Sequence, residues 1–217
     1  VTLANVVNAG GDISDEAGNP TINTDAMRSV VEQLKSVADA GLMSPYGEDG
    51  YAMFQSGDVL FSTDGTWTST AHGSVEGLNF GVTNIYSVTP DKFTNRSSAH
   101  LFSLLNNEDR TDEKEQGVAD FLSWMRENSL DWAGAGQIVA SKEVFESEEY
   151  QQYPQSFFTS SDVEKEASYI FDYKYYSYVE SALGTVLSDM IYGNITIDEG
   201  LDQAQKTVED LIAENAS

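Results

Sequence analysis

Apolar residues in this chain recur at two different spacings, and the alternation between them restricts the fold more than any other property. Helical spacing is clearest in four stretches. Val30, Val31, Leu34, Val37 and Ala38 share one face of a helix predicted from about Asp25, with Asn23 or Thr24 as its cap and Gly41 at its C-terminal end. From Thr111 onward Val118, Phe121, Leu122 and Met125 keep the 3.6-residue period, and Trp124 within that face is read as core. Val179, Ala182, Leu183, Val186, Leu187, Met190 and Ile191 mark a long helix ending at Gly193, and Ile197, Leu201, Ala204, Val208 and Leu211 a last one. A short helix is expected from Glu48 to Gln55, stopping at Ser56-Gly57. Between these lie compact apolar runs of strand type: Val59-Leu60-Phe61, ending in Asp64-Gly65; Phe80 to Val88, closed by Pro90; and His100 to Leu105. Residues 1–23, with Gly10-Gly11 and Gly18-Asn19-Pro20, read as loop and turn. Trp132 to Ala140 reads as a loop or a helix-to-helix corner, and Ser147 to Phe158 as irregular. Strands separated by helices point to an α/β architecture.

The same sequence removes several classes of function. Its 217 residues allow one large domain or two small ones. No apolar run approaches the roughly 20 residues of a bilayer span, and no charged-then-apolar leader opens the chain. Val1 stands first in place of a methionine, as in a mature product, a domain or a fragment, soluble as given. Eleven Lys and Arg against 36 Asp and Glu give a formal charge of −25. Nucleic acids and anionic membranes are recruited by cations, so neither is an expected partner. The charge reads as a solubility device that suits work outside a cell or in a salty medium. With no cysteine, disulfides, thiolate nucleophiles and zinc–sulfur sites are excluded. His72 and His100 are the only histidines, without H-E-x-x-H spacing, and no G-x-S-x-G elbow nominates a serine. A triad assembled in space leaves no such trace. Paired carboxylates cannot be singled out among 36. Asp12 to Asn23 has Ala17 at the sixth and Asn23 at the twelfth place, which fails the calcium-loop pattern. No catalytic residue, metal or cofactor is expected.

The aromatic residues carry more information. Trp67 stands two residues beyond Gly65, at the tip of the predicted strand 59–61. In α/β folds ligands bind outside the carboxyl ends of strands, and an indole face suits the C–H surface of a sugar ring. The alternative is a tryptophan that packs a helix onto a sheet. In the first case Gly65 supplies a sharp turn, Thr66 caps a helix starting at Trp67, and free backbone N–H groups there meet sugar hydroxyls. Trp132, in the glycine-rich corner, fits either role. Tyr169, Tyr173, Tyr175, Tyr176 and Tyr178 either line a wet pocket or cover a half-exposed helix start, and the pocket is preferred.

Read together, four segments in order resemble the extracellular solute-binding proteins of sugar ABC importers, specifically their C-terminal portion. They are Asn8-Ala9-Gly10-Gly11 with Gly18 to Asn23; Tyr51 to Phe61 followed by Asp64-Gly65-Thr66-Trp67; Phe121 to Ala140 with Trp124 and Gly136-Gln137-Ile138-Val139-Ala140; and Gly193 to Leu201. Asp64, Thr66 and Val139 depart from the asparagine, the proline or serine, and the proline common in that family. The resemblance implies a partial type II periplasmic-binding-protein fold. Residues 1–96 would belong to the C-terminal lobe, 97–157 to a piece of the N-terminal lobe, and 158–217 to helices returning to the C-terminal lobe. It implies capture of a carbohydrate without chemistry, closure of two lobes on it, and delivery to a permease. Its full-length members are extracellular, lipid-anchored or periplasmic bacterial proteins, and most of an N-terminal lobe is missing from this chain. Asp64, Gly65, Thr66, Trp67, Trp132, Gly136, Tyr173, Tyr175 and Tyr176 are the candidate ligand-binding residues. The chain alone would bind sugar weakly, and 100–153 would expose apolar area where the other lobe packs. A carbohydrate-active enzyme, or a binding protein for a peptide or polyamine, are the alternatives.

Overall fold

The computed structural model describes residues 1–89, 92–160 and 167–215. In chain order the elements are α1 (Thr2–Asn8), α2 (Asp25–Asp39), α3 (Gly50–Ser56), α4 (Thr68–Gly73), β1 (Asn95–Arg96), α5 (Asp112–Glu127), α6 (Ser129–Gly134), α7 (Lys142–Phe145), α8 (Phe157–Ser160), β2 (Ser168–Tyr169), α9 (Tyr176–Tyr192) and α10 (Ile197–Glu214). Two 3₁₀ turns, Tyr150–Gln152 and Pro154–Ser156, precede α8. The chain forms two units: Val1–Thr63, Asn84–Ser97 and Ala167–Ser217 make the first, Asp64–Thr83 and Ser98–Glu166 the second.

The first unit is built on α2, α9 and α10. Thr24 caps α2 by accepting from the Met27 amide at 3.2 Å, and Met27, Val30, Val31 and Leu34 are buried along one face. The helix ends in a Schellman motif: Gly41 at φ +71° donates to Ala38 O and Leu42 donates to Val37 O. α10 opens with a capping box in which Thr196 and Glu199 satisfy each other's backbone amides. Its Leu201, Ala204 and Val208 pack with Val179, Ala182, Leu183, Val186 and Met190 of α9. The two helices approach closely because position 200 is glycine: a Cβ there would overlap Cγ and Sδ of Met190. Residues 2–8, read as loop, are helical, and Leu3 and Val6 join this core. The segment that resembles a calcium loop is a self-contained turn. Asp15 accepts from the amides of Ala17 and Asn19 and from the Asn19 side chain, while Ile13 and Ile22 on either side are buried. Gln205 of α10 ties this turn down, accepting from Ile22 N at 2.7 Å and donating to Pro20 O at 2.9 Å.

The predicted strands do not form. Among the described residues the one ladder is the parallel pair β1–β2, with Asn95 opposite Ser168 and Arg96 opposite Tyr169. Leu60 and Phe61 are 85% and 84% exposed and belong to no strand. Residues 80–88 carry no ladder either, and the expected stop at Pro90 lies outside the described residues. At 86–88 the buried Asn5 side chain takes the place of a neighbouring strand, donating to Tyr86 O at 2.8 Å and accepting from Val88 N at 2.7 Å. Residues 100–105 are likewise not a strand, and Leu101, Phe102, Leu104 and Leu105 are exposed. A strand needs a neighbour, and an apolar run does not supply one.

The second unit has a small core of Ala133, Val139 and Tyr150, with Leu130, Val144, Phe145 and Tyr153 against it. α5 begins as expected, with Thr111 as its cap, but its apolar face is open. Trp124, read as core, is 56% exposed, and Phe121 and Leu122 are exposed beside it. Within that face Phe102 meets Phe121 edge-on at 6.0 Å, and Phe121 stacks with Trp124 at 6.5 Å. The region 147–158, read as irregular, is a run of 3₁₀ turns wrapped around Tyr150 and the fully buried Gln155.

Candidate functional site

The candidate residues divide between the two units. Asp64, Gly65, Thr66, Trp67, Trp132 and Gly136 lie in the second, and Tyr173, Tyr175 and Tyr176 in the first.

In the second unit the Asp64–Trp67 turn leads into α4. Thr66 does not cap this helix, which starts at Thr68 with Trp67 at the cap position and no side-chain cap bond. The hydroxyls work inward instead: Thr68 Oγ1 donates to Gly65 O at 2.8 Å and Ser69 Oγ to Thr66 O at 2.7 Å. The amides of Thr68 and Ser69 donate to the same two carbonyls, so they are not the free donors expected for sugar hydroxyls. Asp64 accepts from the Gly65 amide at 3.2 Å and is otherwise solvated.

Gly65 has a different use from the sharp turn expected of it. It is not among the positive-φ glycines. A Cβ on it would overlap Cη2, Cζ2 and Cζ3 of the Trp67 indole at nearly equal distances, which puts the ring's face, not its edge, over the glycine. One face of the indole rests on backbone. The side chain is 56% exposed, the measure of how much of it remains open. Trp67 is therefore not a core residue of this unit.

The glycine corner meets this turn. Gly136 has φ +84°, and a Cβ on it would stand 2.7 Å from Thr66 O, 2.9 Å from Ser69 Oγ and 2.9 Å from Trp67 Cα. Thr70 Oγ1 donates to Gly134 O at 3.0 Å, tying α4 to the end of α6. Trp132, on α6, is half exposed and meets His100 edge-on at 5.9 Å. Gly65–Trp67 and Gly136, some 70 positions apart, thus form one surface feature, with Gly136 behind the turn as its seat.

The phenols of the first unit separate into two kinds. Tyr176 is committed to structure: its ring stacks on Phe171 at 5.5 Å, its hydroxyl accepts from Arg96 at 2.8 Å and donates to Glu180 at 3.1 Å. Burial above all, with Glu180 adding and Arg96 opposing, pushes its phenol up to about 12. Tyr175 is half-buried, stacked with Tyr178 at 5.7 Å and edge-on to Tyr173 at 5.8 Å, with the Lys174 ammonium 4.6 Å above its ring. Tyr173 donates to Gly18 O at 3.4 Å, and burial, then Tyr175 and Asp15, raise its phenol.

Among the described residues no three His, Cys, Asp or Glu are grouped to hold a metal ion. The concavities lined by Leu105, Arg110 and Lys114, and by Lys35, Asn194 and Glu199, contain none of the candidate residues. Sequence reasoning missed Ser69, Thr70 and Gln155, which hold the Trp67 turn and the corner. None carries a periodic or motif signal, because each acts through a contact distant in sequence.

No family model matches the chain, and no curated protein matches it. Solved structures do. The chain superposes on the cyclic alpha-maltosyl-1,6-maltose binding protein of Arthrobacter globiformis with a TM-score of 0.69 at 19% identity, covering 98% of this chain and 55% of that one. Against the maltose/maltodextrin-binding domain MalE of Bdellovibrio bacteriovorus bound to maltotriose the TM-score is 0.73 at 15% identity, covering 98% and 57%. Against the maltose-maltodextrin binding protein of Alicyclobacillus acidocaldarius it is 0.71 at 16% identity, covering 95% and 58%. The chain has the partial type II periplasmic-binding-protein fold that the sequence resemblance implied, and it spans a little over half the length of these structures.

Proposed function

We propose that this chain belongs to a protein that captures a carbohydrate outside the cell and passes it to an ABC importer permease, without chemistry of its own. The observation that carries this reading is the Trp67 indole. It lies face-down on Gly65 and is half open to solvent, in a fold shared with proteins that bind maltose, maltotriose and a cyclic maltosyl-maltose. A ring held flat against backbone presents its other face as a stacking platform at little entropic cost. Asp64 and Thr66 precede it in the turn, Gly136 lies against the turn's backbone, and Trp132 on α6 is a second half-exposed indole of the same unit. In the first unit Tyr173 and Tyr175 are the proposed ligand-facing phenols of that unit, and Tyr176 is held by Phe171, Arg96 and Glu180. The two units correspond to parts of two lobes in this reading. Location outside the cytoplasm in the whole protein, either anchored to the cell surface by a lipid or in the periplasm, is part of the same proposal; among the described residues no helix is long and apolar enough to cross a membrane.

The test is Trp67→Ala in the full-length protein with maltotriose as titrant, recording affinity and melting temperature together. Truncating an anchoring aromatic removes on the order of 2 kcal/mol, roughly a 30-fold weaker Kd. A side chain this exposed should leave the melting temperature almost unchanged. Unaltered affinity would remove Trp67 from the site. A collapse of the melting temperature would make it a packing residue. Turnover of a chromogenic maltoside would favour the enzyme alternative.

A further inference from the structure

We propose that Gln155 is a positioning residue for Trp67, acting through the corner that carries Gly136; this rests on the reading of Trp67 as the stacking group. Gln155 is 1% exposed, the most deeply buried polar side chain of the second unit. Burying an amide is costly unless it is hydrogen-bonded; Oε1 has no partner among the described residues, so the partners of Nε2 describe what the side chain holds. Nε2 donates to Ala133 O at 2.7 Å and, over a longer reach of 3.4 Å, to Gln137 O. Two carbonyls facing one end of the carboxamide fix which end is nitrogen. Those carbonyls stand on either side of the Gly134–Gly136 corner. Ala133 O also accepts from the Gly136 amide at 2.9 Å, so the turn is closed by Gly136 and clamped by Gln155 at a single oxygen.

What the corner transmits follows from Gly136. A Cβ on Gly136 would meet Thr66 O, Ser69 Oγ and Trp67 Cα, and two of these three are backbone atoms, so the corner lies close against the Thr66–Trp67 peptide and its hydroxyl-bonded neighbour. A shift of the corner is therefore a shift of the Thr66–Trp67 peptide. The indole has its own seat on Gly65, two residues before it, so displacing the Thr66–Trp67 peptide tilts the ring off that seat. Recognition geometry of this kind tolerates displacements of only about 0.5 Å. The link runs from a buried amide, through one left-handed glycine, to an exposed ring.

The experiment needs no carbohydrate. Trp67, Trp124 and Trp132 are the only tryptophans, so Trp124→Phe with Trp132→Phe leaves Trp67 as the sole indole reporter. In that background Gln155→Met keeps the length and removes the donor. The expected result is a red-shifted Trp67 emission and stronger quenching by acrylamide, with the far-ultraviolet dichroism of the parent. Gln155→Glu should behave likewise when ionised and return toward the parent spectrum in acid, where the carboxylic O–H again donates to Ala133 O; Gln155→Met should not recover. If Gln155→Met does not fold, Gly136→Ala carries the test, since it disturbs the seat from the other side. Parent-like emission and quenching in the folded Gln155→Met protein, or in Gly136→Ala where that variant decides, overturns the proposal. Its failure is separable from that of the stacking reading, because unchanged maltotriose affinity in Trp67→Ala would sink that reading whatever the fluorescence shows.

Discussion

Replacing Gly200 by alanine adds one methyl group to α10 at the point where that helix crosses Met190. The added carbon would overlap Cγ and Sδ of Met190 and stand 3.1 Å from Ile195 Cδ1. Met190 is fully buried in the core cluster that includes Val186 and Leu201, so moving it disturbs packed neighbours. Overpacking of this kind costs about 1–3 kcal/mol, whereas glycine to alanine in a helix contributes at most about 1 kcal/mol in the other direction. The packing cost wins, and a net loss of about 1–2 kcal/mol is expected. Gly184 in α9 is the internal control: it is exposed, and a Cβ there meets nothing within 4 Å. Only the propensity gain remains, up to about 1 kcal/mol. For a chain of this size about 2–4 °C accompanies each kcal/mol. Gly200→Ala should therefore melt about 3–6 °C below the parent and Gly184→Ala slightly above it, read by circular dichroism at 222 nm. Equal shifts of the same sign, or a Gly200→Ala protein as stable as the parent, would refute the claim that close approach is why position 200 is glycine.

Three further outcomes follow from charge and exposure. The Glu199 carboxyl is held below its ordinary value by the Thr196 amide and hydroxyl, so its contribution is present above the usual glutamate range and lost as pH falls through the depressed value; Glu199→Ala should lower the melting temperature at pH 7 and converge with the parent in acid. With 36 acidic and 11 basic side chains, self-repulsion is screened by salt, and the melting temperature should climb from dilute buffer to molar sodium chloride; a flat or falling curve contradicts this. The open face of Phe102, Phe121 and Trp124 should drive concentration-dependent association in sedimentation velocity, reduced by Trp124→Glu, and a monomer at every concentration would count against it.

The helices Asp25–Asp39, Gly50–Ser56, Asp112–Glu127, Tyr176–Tyr192 and Ile197–Glu214 were legible in this sequence because their signals are local, while Thr2–Asn8, read as loop, was not. Thr24, Thr111 and Thr196 sit within three residues of the amides they cap, and Gly41, Gly57 and Gly193 stand at the ends they terminate. What covers a helix was not legible. Periodicity gave α2 and α5 equally clear apolar faces, yet Val30 and Val31 are buried while Phe121 and Trp124 are open. The strands at 59–61, 80–88 and 100–105 failed for the same reason, since a ladder depends on a partner that an apolar run does not specify. The contacts that organise the fold, Asn5 to Tyr86 and Val88, Gln205 to Pro20 and Ile22, and Gln155 to Ala133, are amide side chains clasping backbone 22 to 185 positions away. An amide in a sequence announces no such partner.

At the candidate turn the position of Trp67 beside a helix start was legible and the hydrogen bonding around it was not. The sequence placed Trp67 at a helix start with free amides beside it, which would make one turn both the stacking group and the hydroxyl reader. Thr68 and Ser69 direct their amides and hydroxyls to Gly65 O and Thr66 O, so the turn is closed on itself and, in the proposed reading, would offer a ligand mainly an apolar face. Stacking of this kind rewards a C–H surface and is indifferent to which hydroxyl points where. Discrimination between sugars then has to come from polar groups outside the Gly65–Ser69 turn. The division of labour has a measurable form: Trp67→Ala should weaken maltose and maltotriose by similar factors, leaving their order of preference intact. A reversal of that order would mean that the indole selects as well as holds, and that the internal hydrogen bonds of the turn open when the ligand arrives.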